Sequence, residues 1–178
     1  RRSFLKSTFA TGAALTMPLS IGRSAHAGNA DGFRVGLIGC GGRGGGAAAN
    51  AMNAGEDVKI VAMADLFEDH LERRFKILKE TNPTQFQVDD NHKFVGFDAY
   101  KKVLESDVDV VIIAVASHFH PAFLKVAIEA GKHVFVEKPH ALDVPGIKSV
   151  IKTCEVAKKK GLAVVSGLCW RYDTAVRE

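Results

Sequence analysis

The chain has 178 residues, of which 47% are hydrophobic and 25% are charged, and its formal net charge is +4. All of this excess lies in residues 1–27, so the remaining 151 residues carry 20 basic and 20 acidic side chains. A neutral body offers no electrostatic footprint for nucleic acid or an acidic membrane, and three widely spaced cysteines indicate neither a disulfide framework nor a zinc site.

Residues 1–27 have the order of an export signal. Arg1 and Arg2 open a charged head, residues 8–21 form an apolar run, and residues 25–27 read Ala-His-Ala, a cleavage pattern. The run is shorter than the about 20 residues that span a bilayer. The head resembles the twin-arginine signal class. We therefore expect recognition by the Tat export machinery, a periplasmic or otherwise exported protein, and no stable membrane insertion after cleavage. A frayed amphipathic helix and an uncleaved anchor are the alternatives.

Beyond this leader, short β-branched apolar runs alternate with amphipathic stretches. Strands are expected at residues 33–38, 58–64, 108–115, 133–136 and 163–169, with a short edge strand at 93–95. Helices are expected at residues 47–54, 67–80, 98–105, 121–130 and 144–160. Repeated β-α-β alternation with near-continuous apolar strands predicts an α/β fold, a doubly wound parallel sheet with helices on both faces.

Residues 39–44 read GCGGRG, directly after a predicted strand and before a helix of small residues. In this context the spacing is typical of a dinucleotide-binding loop. Gly39 would make the tight turn, Gly41 would let the backbone approach a pyrophosphate, and Gly44 would let the helix pack closely. The helix N-terminus would attract the phosphates. The predicted cofactor contacts are Gly39, Cys40, Gly41, Gly42, Arg43 and Gly44.

Asp65 lies at the carboxyl end of the next predicted strand, 21 residues beyond Gly44. A carboxylate there can accept both hydroxyls of the adenosine ribose and would repel a 2′-phosphate. No basic residue follows until Arg73, so NAD is favoured over NADP. The alternative is that Asp65 is only the N-cap of the following helix.

Two further polar segments follow strands, His118 to His120 and Glu137-Lys138. The two histidines could bind a metal, but no cysteine or carboxylate is near them, so we expect helix-start or pocket-wall residues and no metal site. A lysine amine in a cleft can bind or deprotonate a substrate hydroxyl. A solvated strand end with a local ion pair explains Glu137-Lys138 equally well, so the residues alone leave both interpretations open.

Five segments together resemble one family. In chain order they read VGLIGCGGRG, VAMAD, VDVVIIAVASHFHP, AGKHVFVEKPHALDV and VSGLCWRYD. They resemble the Gfo/Idh/MocA family of glucose–fructose oxidoreductases and inositol dehydrogenases over residues 33–178. The resemblance implies that the glycine loop and Asp65 bind NAD(P). It places Lys138 beside the nicotinamide and the reacting carbon, as the catalytic residue, before a Lys138–Pro139 bond that is often cis.

The resemblance also implies the remaining cofactor contacts. Glu137 and His120 would line the nicotinamide and ribose end, with Ser117 in the same segment as His120. Trp170 and Arg171 would contact the cofactor from the crossover into a second domain.

With the leader as a signal peptide (1–27), the resemblance implies an NAD-binding Rossmann domain (28–169) followed by the start of a substrate domain (170–178). The rest of that second α/β domain, with its acid/base residues and its homo-oligomer contacts, would be absent here. The expected protein is an exported NAD-dependent oxidoreductase that acts on a sugar or polyol hydroxyl carbon with tightly bound cofactor. The alternatives are an NAD-dependent glycoside hydrolase, whose members commonly lack the EKP lysine, and a non-catalytic cofactor-bound protein.

Overall fold

The computed structural model describes residues 32–177, in which six parallel strands form one sheet. Their order across the sheet is β3-β2-β1-β4-β5-β6. The strands are β1 (Phe33–Ile38), β2 (Val58–Asp65), β3 (Lys93–Val95), β4 (Val110–Ile113), β5 (His133–Val136) and β6 (Val164–Ser166). The strand order reverses between β1 and β4, which opens a crevice at their carboxyl ends. The predicted signal peptide lies outside the described residues and stays a prediction.

Helices cover both faces of the sheet. They are α1 (Gly42–Ala54), α2 (Glu68–Thr81), α3 (Ala99–Glu105), α4 (His120–Glu129), α5 (Val144–Lys159) and the short α6 (Thr174–Arg177). Helices α1 and α2 bury their apolar sides in one core, and α3, α4 and α5 bury theirs in the core on the other face. The predicted doubly wound α/β fold is therefore confirmed. Within the described residues, no helix has the length and apolarity that crossing a membrane requires.

Two strands are shorter than the apolar runs that predicted them. Strand β4 covers Val110–Ile113 rather than residues 108–115, although Val108 is fully part of the core. Strand β6 covers Val164–Ser166, and the chain then makes a 3-10 turn at Cys169–Tyr172. Apolar patterning reports burial, and burial continues past the last hydrogen bond of a strand.

Candidate cofactor site

The glycine loop makes a tight turn between β1 and α1. Gly39 has a φ of 99°, and a side chain there would collide with the carbonyl of Ala114. Its N–H donates to the carbonyl oxygen of Ala64 over 2.8 Å, which ties the turn to β2. A Cβ on Gly44 would overlap the carbonyl oxygen of Gly39, whereas a Cβ on Gly41 would have nothing within 4 Å. The loop thus lies against the sheet at Gly39 and Gly44 and is open at Gly41, as the three predicted roles require.

Helix α1 begins at Gly42 rather than at residue 47. Glycine is a poor helix former, which is why the sequence pattern placed the start later. Burial of Gly44 and Gly45 against the sheet and helix α2 holds the first turn in place. The N–H of Gly45 donates to the carbonyl oxygen of Gly41 over 3.0 Å. The amides of Gly42 to Gly44 lie before this bond and therefore have no partner within the helix. Such amides form a cradle for an anion, and the open space beside Gly42 leaves room for one.

The Asp65 carboxylate connects β2 to the glycine loop. Its Oδ2 accepts a hydrogen bond from the N–H of Cys40 over 2.6 Å, and its Oδ1 accepts one from the N–H of Phe67 over 2.9 Å. Asp65 is not the N-cap of α2, since that position belongs to Phe67. The carboxylate lines a cavity at the carboxyl ends of β1, β2 and β4. Burial, and next the Asp65 charge, raise the pKa of the Cys40 thiol, so that thiol stays protonated.

Beside Asp65 the cavity has a volume of about 290 Å³ and an aromatic wall. The rings of Tyr100 and Phe123 stack with their centroids 4.0 Å apart, and Phe97 is 72% exposed at the rim. The wall is formed by Phe67, Phe97, Tyr100, Phe119 and Phe123. An apolar cavity with an aromatic wall beside a strand-end carboxylate is suited to an adenine ring. The sequence does not predict this wall, because its rings come from separate connecting segments and helices with no shared motif.

Arg74 on α2 is a further residue near the glycine loop that no sequence pattern predicts. Its Nε lies 3.4 Å from the carbonyl oxygen of Cys40, and its side chain fills the space beside Gly45. A guanidinium therefore reaches the glycine loop, although no basic residue immediately follows Asp65. Arg74 lies one helical turn after His70, and nothing in the sequence around it indicates a contact with the glycine loop.

Arg43 and Glu137 form an ion pair between the glycine loop and the end of β5. Arg43 Nη2 lies 2.8 Å from Glu137 Oε1, and the exposed fractions of the two side chains are 49% and 4%. Contact with Glu137 is the main cause that raises the pKa of the Arg43 guanidinium. The structure thus brings together two predicted site residues from distant segments. Glu137 and Lys138 do not form an ion pair with each other, because the Glu137 carboxylate is paired with Arg43 instead.

Lys138 follows Glu137 and is exposed. It makes no hydrogen bond or ion pair with any residue in the range 32–177, and the Lys138–Pro139 bond is cis, as the resemblance implied. His120 Nδ1 lies 2.7 Å from the carbonyl oxygen of Pro139. Because a carbonyl only accepts, we assign the proton to Nδ1. His120 is only 1% exposed and thereby fixes the backbone next to Lys138.

The two histidines of the His-x-His segment do not converge. His118 is exposed and packs edge-on against Phe119, whereas the His120 ring is buried under Pro139. In the part of the chain that the structure describes, no group of three or more His, Cys, Asp or Glu side chains is placed to hold a metal ion.

The other predicted contacts lie at the edges of the site. Ser117 is half-buried in a 3-10 turn, Ser117–Phe119, after β4. Trp170 is 76% exposed and Arg171 is exposed in the turn Cys169–Tyr172. Contact of these three residues with a cofactor stays a prediction.

His140 gives this region a pH dependence. Its Nε2 lies 2.8 Å from Ser166 Oγ, and burial, followed by nearby His120, lowers its pKa. The unfolded chain then binds more protons than the folded one, so the free energy of unfolding falls as the pH drops below about 6.5. We expect His140→Gln to flatten this decline in urea unfolding between about pH 7.5 and pH 5.5. His118→Gln is the exposed control, and an unchanged decline in the His140 variant would contradict the assignment.

The fold and the site together define the class of protein. The parallel sheet has the strand order of a Rossmann dinucleotide-binding domain. The glycine turn, the strand-end carboxylate and the open anion cradle lie where that strand order reverses, as such a domain requires. The donor groups and the space fit a dinucleotide: the amides suit a pyrophosphate, the Asp65 carboxylate suits ribose hydroxyls, and the aromatic-walled cavity suits a base.

The chain belongs to the Gfo/Idh/MocA family, the oxidoreductase family with an NAD-binding Rossmann fold, whose family model matches residues 33–166. This confirms the resemblance read from the sequence. Among curated relatives, the chain is 31% identical over 193 residues to glycosyl hydrolase family 109 protein 2 of Shewanella sp. (strain ANA-3), covering 97% of this chain and 40% of the relative. It is 36% identical over 128 residues to glycosyl hydrolase family 109 protein 1 of Bacteroides thetaiotaomicron, covering 71% and 26%.

Solved structures give a second set of similarities. Scyllo-inositol dehydrogenase from Lactobacillus casei, with bound cofactor NAD(H) and scyllo-inositol, matches with a TM-score of 0.63 and 26% identity, over 82% of this chain and 39% of that one. A 3-ketoreductase from Actinomadura kijaniata in complex with NADP matches with a TM-score of 0.62 and 26% identity, over 82% and 42%. The chain spans at most 40% of the length of the curated relatives named above.

Proposed function

We propose that this chain is the cofactor-binding part of an enzyme that transfers a hydride between a sugar or polyol hydroxyl carbon and a tightly bound NAD. The observation that carries the proposal is Lys138. Its ammonium group is exposed and lacks a partner among the described residues, at the same edge of the sheet as the glycine cradle. An unpaired lysine at the carboxyl end of a Rossmann strand is available to a substrate oxygen.

In the proposed reaction the nicotinamide, when bound, accepts or returns the hydride. The amides of Gly42 to Gly44 hold the pyrophosphate and Asp65 holds the adenosine ribose. Lys138 binds the substrate hydroxyl oxygen and helps to move its proton, together with a base from the second domain of the family. His120 fixes the backbone next to Lys138 through the carbonyl of Pro139.

The choice of NAD rests on Asp65, because a carboxylate at the end of β2 repels a 2′-phosphate. Arg74 is the opposing feature, since its guanidinium reaches the Cys40 carbonyl. The solved neighbours contain NAD(H) in one case and NADP in another. We weigh Asp65 more heavily because its carboxylate lines the cavity, whereas Arg74 is packed between helices α1 and α2.

The second candidate is redox-neutral hydrolysis of a glycoside, in which transient oxidation of the sugar permits elimination and the cofactor is regenerated in each cycle. The names of the curated relatives favour it, as does Arg43 before the last glycine of the loop. Lys138 favours the first candidate, because hydrolases of this kind commonly lack the EKP lysine. Both candidates begin with hydride removal from a sugar carbon.

A twin-arginine leader is consistent with either chemistry. That route moves folded proteins, so the domain would close on NAD before export. Because cofactor supply outside the cytoplasm is negligible, the bound NAD would be released slowly and regenerated in place. We propose an exported protein that works by a two-substrate ping-pong cycle, as a homo-oligomer formed through its second domain.

An assay of the full-length protein on an aryl glycoside and on free sugars and polyols separates the two candidates. We expect oxidation of a free sugar or polyol, coupled to reduction of a second carbonyl substrate, and no release of the phenol. Phenol release without net sugar oxidation would contradict the oxidoreductase proposal and support the hydrolase.

A further inference from the structure

Arg43 lies at a position where a helix disfavours a cation. It is the second residue of α1, and the positive end of the helix dipole opposes a basic side chain there. The first turn of α1 contains no acidic residue that would offset this. The compensating charge comes from the end of β5, where Glu137 Oε1 lies 2.8 Å from Arg43 Nη2. Arg43 is therefore a cation beside the cradle that is held in place by the Glu137 carboxylate at the end of β5.

Glu137 is rigidly enclosed. Its side chain is 4% exposed, and neither carboxylate oxygen has a hydrogen-bond partner of good geometry among the described residues. A Cβ on Gly167 would come within 2.7 Å of the carboxyl carbon, so the Gly167 backbone blocks movement on that side. A buried carboxylate without hydrogen bonds depends strongly on its ion-pair partner. Glu137 therefore holds the Arg43 guanidinium in one place.

The Arg43 guanidinium has N–H donors that the ion pair with Glu137 does not use. Arginine has five N–H donors, of which Nη2 contacts Glu137; Cys169 also interacts with the guanidinium, and half of the side chain is exposed. Arg43 also lies between Gly42 and Gly44, whose amides form the anion cradle. A cation fixed in advance beside the cradle can bind a pyrophosphate without first losing rotamer freedom.

We infer that Glu137 is a positioning residue that acts through Arg43, and that the ion pair slows release of the bound dinucleotide by preorganising a cation for its pyrophosphate. This inference rests on the proposed function, since it needs a retained dinucleotide. It predicts an asymmetry between the partners. Loss of Glu137 frees Arg43 but keeps its charge, whereas loss of Arg43 leaves a buried carboxylate that repels the pyrophosphate.

The test is a double-mutant cycle on the NAD release rate of the full-length protein. Each variant is loaded with NAD and mixed with excess isotopically labelled NAD, and exchange is followed by mass spectrometry. We expect Arg43→Gln to release NAD at least about tenfold faster than wild type and Glu137→Gln about threefold faster. The double variant should release NAD more slowly than Arg43→Gln alone, because the repelling carboxylate is gone. Lys125→Gln and Glu129→Gln, on a surface pair of α4, are the charge-matched controls.

Melting of each nucleotide-free variant, followed by circular dichroism, checks folding. If Arg43→Gln does not fold, Arg43→Lys retains the charge and should release NAD within about threefold of the wild-type rate, while Glu137→Gln still releases it faster. Wild-type release rates in all the folded variants, or single effects that multiply in the double variant, would overturn this inference alone. A wild-type protein that binds no dinucleotide would overturn the proposed function as well.

Discussion

Lys138→Ala in the full-length protein should abolish turnover and leave NAD bound. The side chain is exposed and makes no hydrogen bond or ion pair within the described residues, so we expect its removal to have little effect on stability. In the proposed mechanism the Lys138 amine binds the substrate oxygen and helps to move its proton. Losing a positioned proton-transfer group lowers reaction rates by about 10²–10⁴-fold. The measurement is the turnover rate on a free sugar or polyol, with the nucleotide content of the same sample.

The matched control is Lys125→Ala, which removes an exposed lysine from α4. It should keep the wild-type turnover rate. Near-normal turnover in Lys138→Ala would remove Lys138 from the mechanism, and loss of NAD from that variant would make it a cofactor-binding residue instead.

Gly44→Ala should destabilise the domain and prevent NAD binding. The added Cβ would overlap the Gly39 carbonyl oxygen, so α1 would have to move away from the turn and carry the cradle amides with it. Overpacking of this kind lowers the free energy of unfolding by about 1–3 kcal/mol. Urea unfolding measures the stability, and titration calorimetry with NAD measures the binding.

Gly46→Ala is the control in the same helix, because a Cβ at Gly46 would have nothing within 4 Å. Replacing this helical glycine with alanine should raise the free energy of unfolding by about 0.5–1 kcal/mol and preserve NAD binding. If Gly44→Ala were as stable as wild type and bound NAD normally, the close contact between α1 and the turn would be wrong.

The sequence predicted the sheet well because buried parallel strands leave continuous apolar runs. Strands β1, β3 and β5 lie at the predicted residues, and the order of helices and strands is as expected. The start of α1 was placed too late because glycines weaken a helix in isolation. Here, the packing of Gly44 against the turn decides where the helix begins.

The site was predictable where it is contiguous in the sequence. The glycine loop and Lys138 follow β1 and β5 within two residues, and Asp65 is the last residue of β2, so the carboxyl ends of the parallel strands bring them to one edge of the sheet. The Arg43–Glu137 pair, the Arg74 contact and the aromatic wall were not predictable. Each depends on how distant segments of the chain come together at the carboxyl edge of the sheet, and no local sequence pattern encodes those contacts.

The central claim is that a retained NAD takes a hydride from a sugar or polyol. It is tested most directly by the mass of the nucleotide that the full-length protein releases on denaturation, before and after mixing with a panel of free sugars and polyols. The account predicts NAD from protein purified without added nucleotide, and the reduced form after mixing with a substrate. A protein that releases no nucleotide, or one whose nucleotide mass does not change with any member of the panel, would contradict it.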